Sequence, residues 1–278
     1  MSILSLISQT EMKRILPAIL ILTFTAFSSW AGDFQPDEII RYKETPMGDL
    51  NLHVFYPGNI KQGDNRPAIV FFFGGGWTSG TPRQFYAHCE YLAAQGMVAI
   101  SAEYRVKGTH GTTPVESVKD GKSAIRWVRK HAEELGVDPL RIAASGGSAG
   151  GHVAACTALI EGLEEEDPDI CSVPDAMVLF NPVPFSQVSD FQLKMSEHGN
   201  LCVLIPSVGQ GHGFFNSRHF RENSDNTYFK KSIYETHFFL QEIGFLDHLP
   251  EEWVNRWPDD LRETKIESRI PRWQMHKA

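Results

Sequence analysis

The chain has 278 residues, 42% of them hydrophobic and 22% charged, with a formal net charge of −8. That length suffices for one large domain with a well-buried core. The acidic balance and the lack of a dense Lys/Arg run argue against a nucleic-acid partner, because phosphate binding rests on clustered cations.

At the start of the chain, Lys13 and Arg14 precede an apolar run from Ile15 to Phe27, followed by Ser28-Ser29-Trp30-Ala31-Gly32. A basic start, a short apolar stretch and small residues at Ser29 and Ala31 describe a secretory signal. The run falls short of the roughly 20 residues that a membrane span needs. Residues 1–31 are therefore expected to be a signal peptide and 32–278 the mature domain, exported to the periplasm or beyond. No stable membrane span is expected after cleavage; an uncleaved anchor helix is the alternative, and Met12 is an alternative start.

Export makes one or two disulfides possible among Cys89, Cys156, Cys171 and Cys202, with buried free thiols as the other reading. Their spacing does not suit zinc, so neither a metal nor a cofactor is expected.

From residue 50 onward strand-like and helix-like segments alternate. Leu50 to Tyr56 alternates apolar and polar residues. Continuous apolar runs follow at Ala68–Phe73, Met97–Ser101, Arg141–Ser145, Ala176–Phe180 and Leu201–Ile205. Such runs fit a parallel sheet covered on both faces. The clearest helix is expected over Pro114–Leu135, where Val118, Gly121, Ile125, Val128, Ala132 and Leu135 form one stripe. Pro114 suits its first turn and Gly136 its stop. Further helices are expected over Val153–Ile160 and Gln187–Glu197, giving one doubly wound α/β domain.

Three segments carry chemistry. Gly146-x-Ser148-x-Gly150 lies between a strand and a helix, the setting of a nucleophile elbow. The turn is so sharp that only small neighbours let the backbone pass, which leaves the Ser148 hydroxyl in the open. Upstream, Phe71-Phe72-Phe73-Gly74-Gly75-Gly76-Trp77 is a buried strand opening into a glycine loop. The N–H groups of Gly75, Gly76 and Ala149 are assigned to an oxyanion hole. Downstream, His212 sits between Gly211 and Gly213, where it can serve as general base. His152 reads as a packing residue of the elbow helix, and His88 as surface or core filler.

Residues 66–160 and 209–244 resemble bacterial esterases and lipases of the α/β-hydrolase superfamily, near the hormone-sensitive-lipase-like group. The resemblance rests on Gly74-Gly75-Gly76-Trp77, Trp127-Val128-Arg129-Lys130-His131-Ala132, Val137-Asp138-Pro139 and Gly147-Ser148-Ala149-Gly150-Gly151-His152. It implies an α/β-hydrolase fold and a small-molecule ester as partner. In that group a His usually precedes the three glycines, and here Phe73 stands in its place.

The resemblance also implies a third catalytic residue, an Asp or Glu after one more strand, which this chain lacks room for. Asn181-Pro182-Val183-Pro184 runs almost directly into the Gln187–Glu197 helix. Asn181 and Asp190 are weak candidates, and Asp175 precedes its strand, at the wrong end of a parallel sheet. The acid stays unassigned, and either the sheet loses its seventh strand or the last strand shifts to pair with its neighbour. Two main readings follow: a Ser148/His212 carboxylic-ester hydrolase of short-chain or carbohydrate-linked esters, or a silent relative acting as a binding protein. A serine peptidase of the same fold is a lesser third. Oligomeric state is left open.

Overall fold

The computed structural model describes residues 34–182, 185–222 and 226–247. The expected signal peptide, and Trp253, Trp257 and Trp273 of the C-terminal tail, lie outside the described residues. All elements belong to the unit Gln35–Ala278.

Six strands form one sheet in the order β1-β2-β4-β3-β5-β6. They are β1 (Glu38–Lys43), β2 (Leu50–Phe55), β3 (Arg66–Phe72), β4 (Val98–Ala102), β5 (Val137–Gly147) and β6 (Ala176–Phe180). β3 pairs in parallel with β4 and β5, and β5 in parallel with β6, while β1 and β2 extend the sheet antiparallel. The helices are α1 (Tyr86–Ala94), the single turn α2 (Lys107–His110), α3 (Pro114–Lys130), α4 (Ala149–Leu159), α5 (Phe185–Glu197) and α6 (Asn226–Glu242). No helix among the described residues is long and apolar enough to cross a membrane.

Side chains alternate across each strand, so consecutive residues of β3 serve opposite faces. Val70 and Phe72 pack with Ala124, Ile125 and Val128 of α3 and Val153 and Ala154 of α4. Phe71 faces the other way, stacking on Phe85 at 4.8 Å and tilting against His88 of α1 at 5.8 Å. Both faces are thus covered, which is why the central strands read as unbroken apolar runs.

α3 begins as expected, with Pro114 in the first turn and a Thr113/Glu116 capping box. It ends at Lys130 rather than Leu135. His131 stacks on Trp127 at 4.0 Å and its Nδ1 meets the Trp127 carbonyl at 2.8 Å. The chain then turns, and Val137 N donates back to Ala132 O at 2.7 Å, leaving Gly136 at φ 68°. Buried Asp120 fixes α3 to the chain after β4, accepting from Arg105 Nε at 2.8 Å and Nη2 at 2.6 Å. Lys43 Nζ closes on the same carboxylate at 3.0 Å.

One expectation is corrected, and one of two open readings is decided. Leu201–Ile205 forms no strand, and β6 has no further described strand beside it. The segment lies against α5 instead, where Gln192 Nε2 donates to Cys202 O at 3.2 Å. All four cysteines are free thiols: Cys89 and Cys156 are buried, Cys202 is half-buried and Cys171 is exposed. Burial pushes the Cys89 thiol well above its ordinary pKa, and Glu90 adds to the effect.

Candidate active site

Two neighbouring parallel strands deliver the site. β3 and β5 pair with Phe72 opposite Gly146, so the chain leaves both strands at one carboxyl edge of the sheet. After β5 it turns at Ser148, at φ 54° and ψ −120°, a conformation that costs a side-chain-bearing residue about 1–3 kcal/mol. The surrounding backbone holds it there. Ser148 N donates to Phe180 O at 2.8 Å, and His152 N donates to Ser148 O at 3.1 Å.

The elbow also touches the glycine loop directly. A Cβ on Gly150 would lie 2.0 Å from Phe72 O and 2.3 Å from Phe73 O, so only glycine fits. α4 starts at Ala149 rather than Val153, which makes the Ala149 N–H one of the unpaired donors of a helix N-terminus.

In the glycine loop, Gly75 has φ 139° and Gly76 φ 62°. Gly75 O accepts from Thr78 N at 3.1 Å and Ser79 N at 3.2 Å, and a Cβ on Gly75 would meet Ser79 O at 1.9 Å. Phe73, directly before the glycines, is fixed by its neighbours. It stacks on Tyr104 at 4.2 Å, and the Tyr104 hydroxyl donates to Phe73 O at 2.5 Å. Packing holds the loop.

His212 is exposed and lines the same cavity, of about 700 Å³, as Ser148 and Gly74–Gly76. Its loop is anchored by Phe215, which is buried and stacks on Phe180 at 5.1 Å. A Cβ on Gly147 would lie 2.3 Å from the Phe215 ring, so the histidine loop rests on the residue before the nucleophile. A polar tie runs alongside. Gly74 N donates to Gln84 Oε1 at 2.6 Å, Gln84 Nε2 to Asn216 Oδ1 at 2.8 Å, and Asn216 Nδ2 to Gly213 O at 2.9 Å.

Among the described residues no Asp or Glu lines this cavity. Asn181, at φ 46°, donates from Nδ2 to the backbone O of His212 at 2.5 Å, and so steadies the loop rather than the ring. Asp190 is exposed on α5 and does not line the cavity. Asp175 is structural, accepting from Ile142 N at 2.9 Å and Arg129 Nη2 at 3.1 Å at the start of β6. His152 meets Trp77 edge-on at 5.6 Å, as a packing residue does.

A family model described as BD-FAE matches residues 52–194, which include the glycine loop and the elbow. The chain belongs to the BD-FAE family. The match ends within α5, before His212. A solved thermophilic esterase of Thermogutta terrifontis with propionate bound is 41% identical, with a TM-score of 0.73. That likeness covers 77% of this BD-FAE member and 96% of the Thermogutta chain. Thermogutta terrifontis esterase 2 phosphorylated by paraoxon is 42% identical over 76% of this chain and 96% of its own, again at TM-score 0.73. Carboxylesterase NlhH of Mycobacterium tuberculosis is 35% identical over 43% of this chain, and the matched part spans 38% of NlhH. The mixed, mostly parallel sheet and these likenesses make the chain an α/β-hydrolase of the bacterial, hormone-sensitive-lipase-like group.

Sequence patterns of the BD-FAE member do not reveal Gln84, Asn216 or Phe215 as parts of the site. Phe215 carried one available signal, as an apolar pair with Phe214 directly after the glycine-flanked histidine. Gln84 and Asn216 carried none, because their pairing spans 132 positions.

Proposed function

We propose that this BD-FAE family member hydrolyses carboxylic esters through an acyl-enzyme on Ser148. One observation carries the reading: a single cavity joins a strained strand-to-helix serine, a left-handed glycine loop and a glycine-flanked histidine. Ser148 Oγ attacks the acyl carbon while His212 takes its proton and returns it to the departing alkoxide. The N–H groups of Gly75, Gly76 and Ala149 hold the tetrahedral oxyanion. Water, deprotonated by His212, then releases the acid and restores Ser148.

The absence of a carboxylate among the described lining residues bears on rate. A triad acid fixes the imidazole tautomer and stabilises the imidazolium, and neutralising it costs about 10⁴ in kcat in a well-studied serine protease. Here Asn181 and Phe215 position the histidine loop without supplying charge. The same observation favours the second reading, a weak or silent relative that binds esters without turning them over. Short acyl groups or carbohydrate-linked esters are the proposed substrates; the propionate and butyrate bound to the Thermogutta esterase support the short acyl group alone. Export after cleavage at Ala31 belongs to the same proposal and rests on the pattern Lys13 to Gly32.

Initial rates on a short-chain chromogenic ester, for the wild type beside Ser148→Ala and His212→Ala, test the reading. Wild-type turnover well above both variants is expected. Turnover no faster than Ser148→Ala would leave the binding reading.

A further inference from the structure

The cavity holds a charge that ester hydrolysis does not use. Arg221 lines it together with Ser148 and His212. Its backbone is set by a turn, Arg221 N donating to Ser217 O at 3.0 Å. The side chain returns over the histidine loop, so that a Cβ on Gly213 would meet Arg221 Nη1 at 2.6 Å and Cζ at 3.4 Å. Gly213, next to His212 in the chain, leaves the space that the guanidinium fills.

Two further features set Arg221 apart from an ordinary surface cation. Arg41, Arg66, Arg105, Arg126, Arg129 and Arg141 each pair with a carboxylate. Among the described residues no carboxylate pairs with Arg221. The cavity lining, moreover, contains no Asp or Glu among the described residues, although the chain carries eight more acidic than basic groups, 34 against 26. Inside a protein whose net charge is negative, the described wall around Ser148 carries the positive charge of Arg221 and no carboxylate.

We propose that Arg221 selects esters carrying a carboxylate beside the scissile bond. A planar guanidinium offers two parallel N–H donors to a carboxylate, a stronger and more directional contact than a neutral hydrogen bond. An aliphatic ester gains nothing from it. The anion can lie on the acyl side, as in a monoester of a dicarboxylic acid, or on the alcohol side, as in an ester of a hydroxy acid. This proposal names the substrate class of the hydrolase reading and rests on it for turnover, though not for binding.

The test compares matched esters. On the acyl side, para-nitrophenyl hemiglutarate is set against para-nitrophenyl pentanoate. On the alcohol side, the butyryl ester of para-hydroxybenzoate is set against phenyl butyrate. At low salt the wild type is expected to favour one anionic ester by about tenfold in kcat/KM, the scale of one charge-assisted contact. The preference resides mainly in KM, shrinks as salt screens the pair, collapses toward one in Arg221→Gln, and partly returns in Arg221→Lys. The pair that shows it identifies the side on which the anion sits. An equal ratio in the wild type and Arg221→Gln overturns the proposal.

Should the wild type turn over no ester faster than Ser148→Ala, the hydrolase reading fails and calorimetry decides this one. Monomethyl glutarate binding Ser148→Ala about tenfold more tightly than methyl pentanoate, with the difference lost on adding Arg221→Gln, upholds the anion site. Equal binding of the two esters removes it.

Discussion

Gln84 Nε2 donates to Asn216 Oδ1 at 2.8 Å, joining the glycine loop after β3 to the histidine loop across 132 positions of sequence. Both side chains are buried, and each has a second bond that fixes its amide orientation: Gln84 Oε1 accepts from Gly74 N, and Asn216 Nδ2 donates to Gly213 O. The proposed oxyanion donors and the proposed base are therefore held to one another independently of the nucleophile.

Breaking that tie leaves buried polar groups unpaired. Gln84→Ala is expected to lower stability by about 1–3 kcal/mol, the cost of an orphaned buried partner. Ester turnover is expected to fall about tenfold or more, with the loss in kcat rather than KM, because geometry and not substrate contact is lost. Asn216→Ala should do the same, and the double variant should be less than additive. Urea unfolding together with steady-state rates checks both parts.

Gly147 and Phe215 make a steric pair. Gly147→Ala places a methyl where the Phe215 ring lies, and is expected to cost about 1–3 kcal/mol by overpacking and to displace His212. Phe215→Leu frees the space, so the double variant should recover part of the stability that Gly147→Ala loses. Thermal melts of the four proteins measure the coupling. Independent losses would show that the ring does not rest on the elbow.

The glycine loop depends on Tyr104, whose hydroxyl caps Phe73 O while its ring stacks on the Phe73 ring. Tyr104→Phe keeps the stack and removes the bond. A loss of about 0.5–1.5 kcal/mol is expected in urea unfolding, whereas Tyr104→Ala should lose about 3–5 kcal/mol by opening a cavity.

His88 sets an acid limit on stability. It is wholly buried against Phe71, Phe85, Phe180, Phe215 and Phe229. Burial pushes its pKa down to about 3, and the Phe215 backbone offsets this only in part. In the unfolded chain the ring protonates near 6.5, so between about pH 6.5 and pH 3 the unfolded state binds the extra proton. Stability due to neutral His88 is thus complete above that window and is lost as pH falls through it, by up to about 1.4 kcal/mol per unit. His237, pushed down to about 4 by burial, acts in the same direction. His88→Phe should flatten the fall of melting temperature between pH 7 and pH 4. An unchanged slope would assign the acid lability elsewhere.

Much of the scaffold was legible because it depends on local pattern. β6 coincides with its apolar run, and the capping box and Pro114 mark the start of α3. Ser148, Gly75, Gly76 and His212 stand in glycine-rich turns that restrict residue type, and the fold brings these four to one cavity. The misses depend on partners distant in the chain. β1 reads as a mixed segment, Glu38-Ile39-Ile40-Arg41-Tyr42-Lys43, and becomes a strand only because β2 offers an edge. Leu201–Ile205 has the composition of a strand, yet it does not pair with the outer edge of β6 and rests on α5 instead. The stop of α3 at Lys130 follows from a Trp127–His131 stack that helical periodicity does not register. Gln84 and Asn216 are ordinary polar residues until the fold brings them together.

The central claim is that Ser148 is the nucleophile of an acyl-transfer site. It is tested most directly by treating the wild type and Ser148→Ala with paraoxon, then locating any adduct by intact mass and peptide mapping. One phosphoryl group per chain, on the peptide containing Ser148 and missing from Ser148→Ala, is the predicted result. A wild type that stays unmodified while the Thermogutta esterase is labelled beside it, or a label on another residue, would contradict the account.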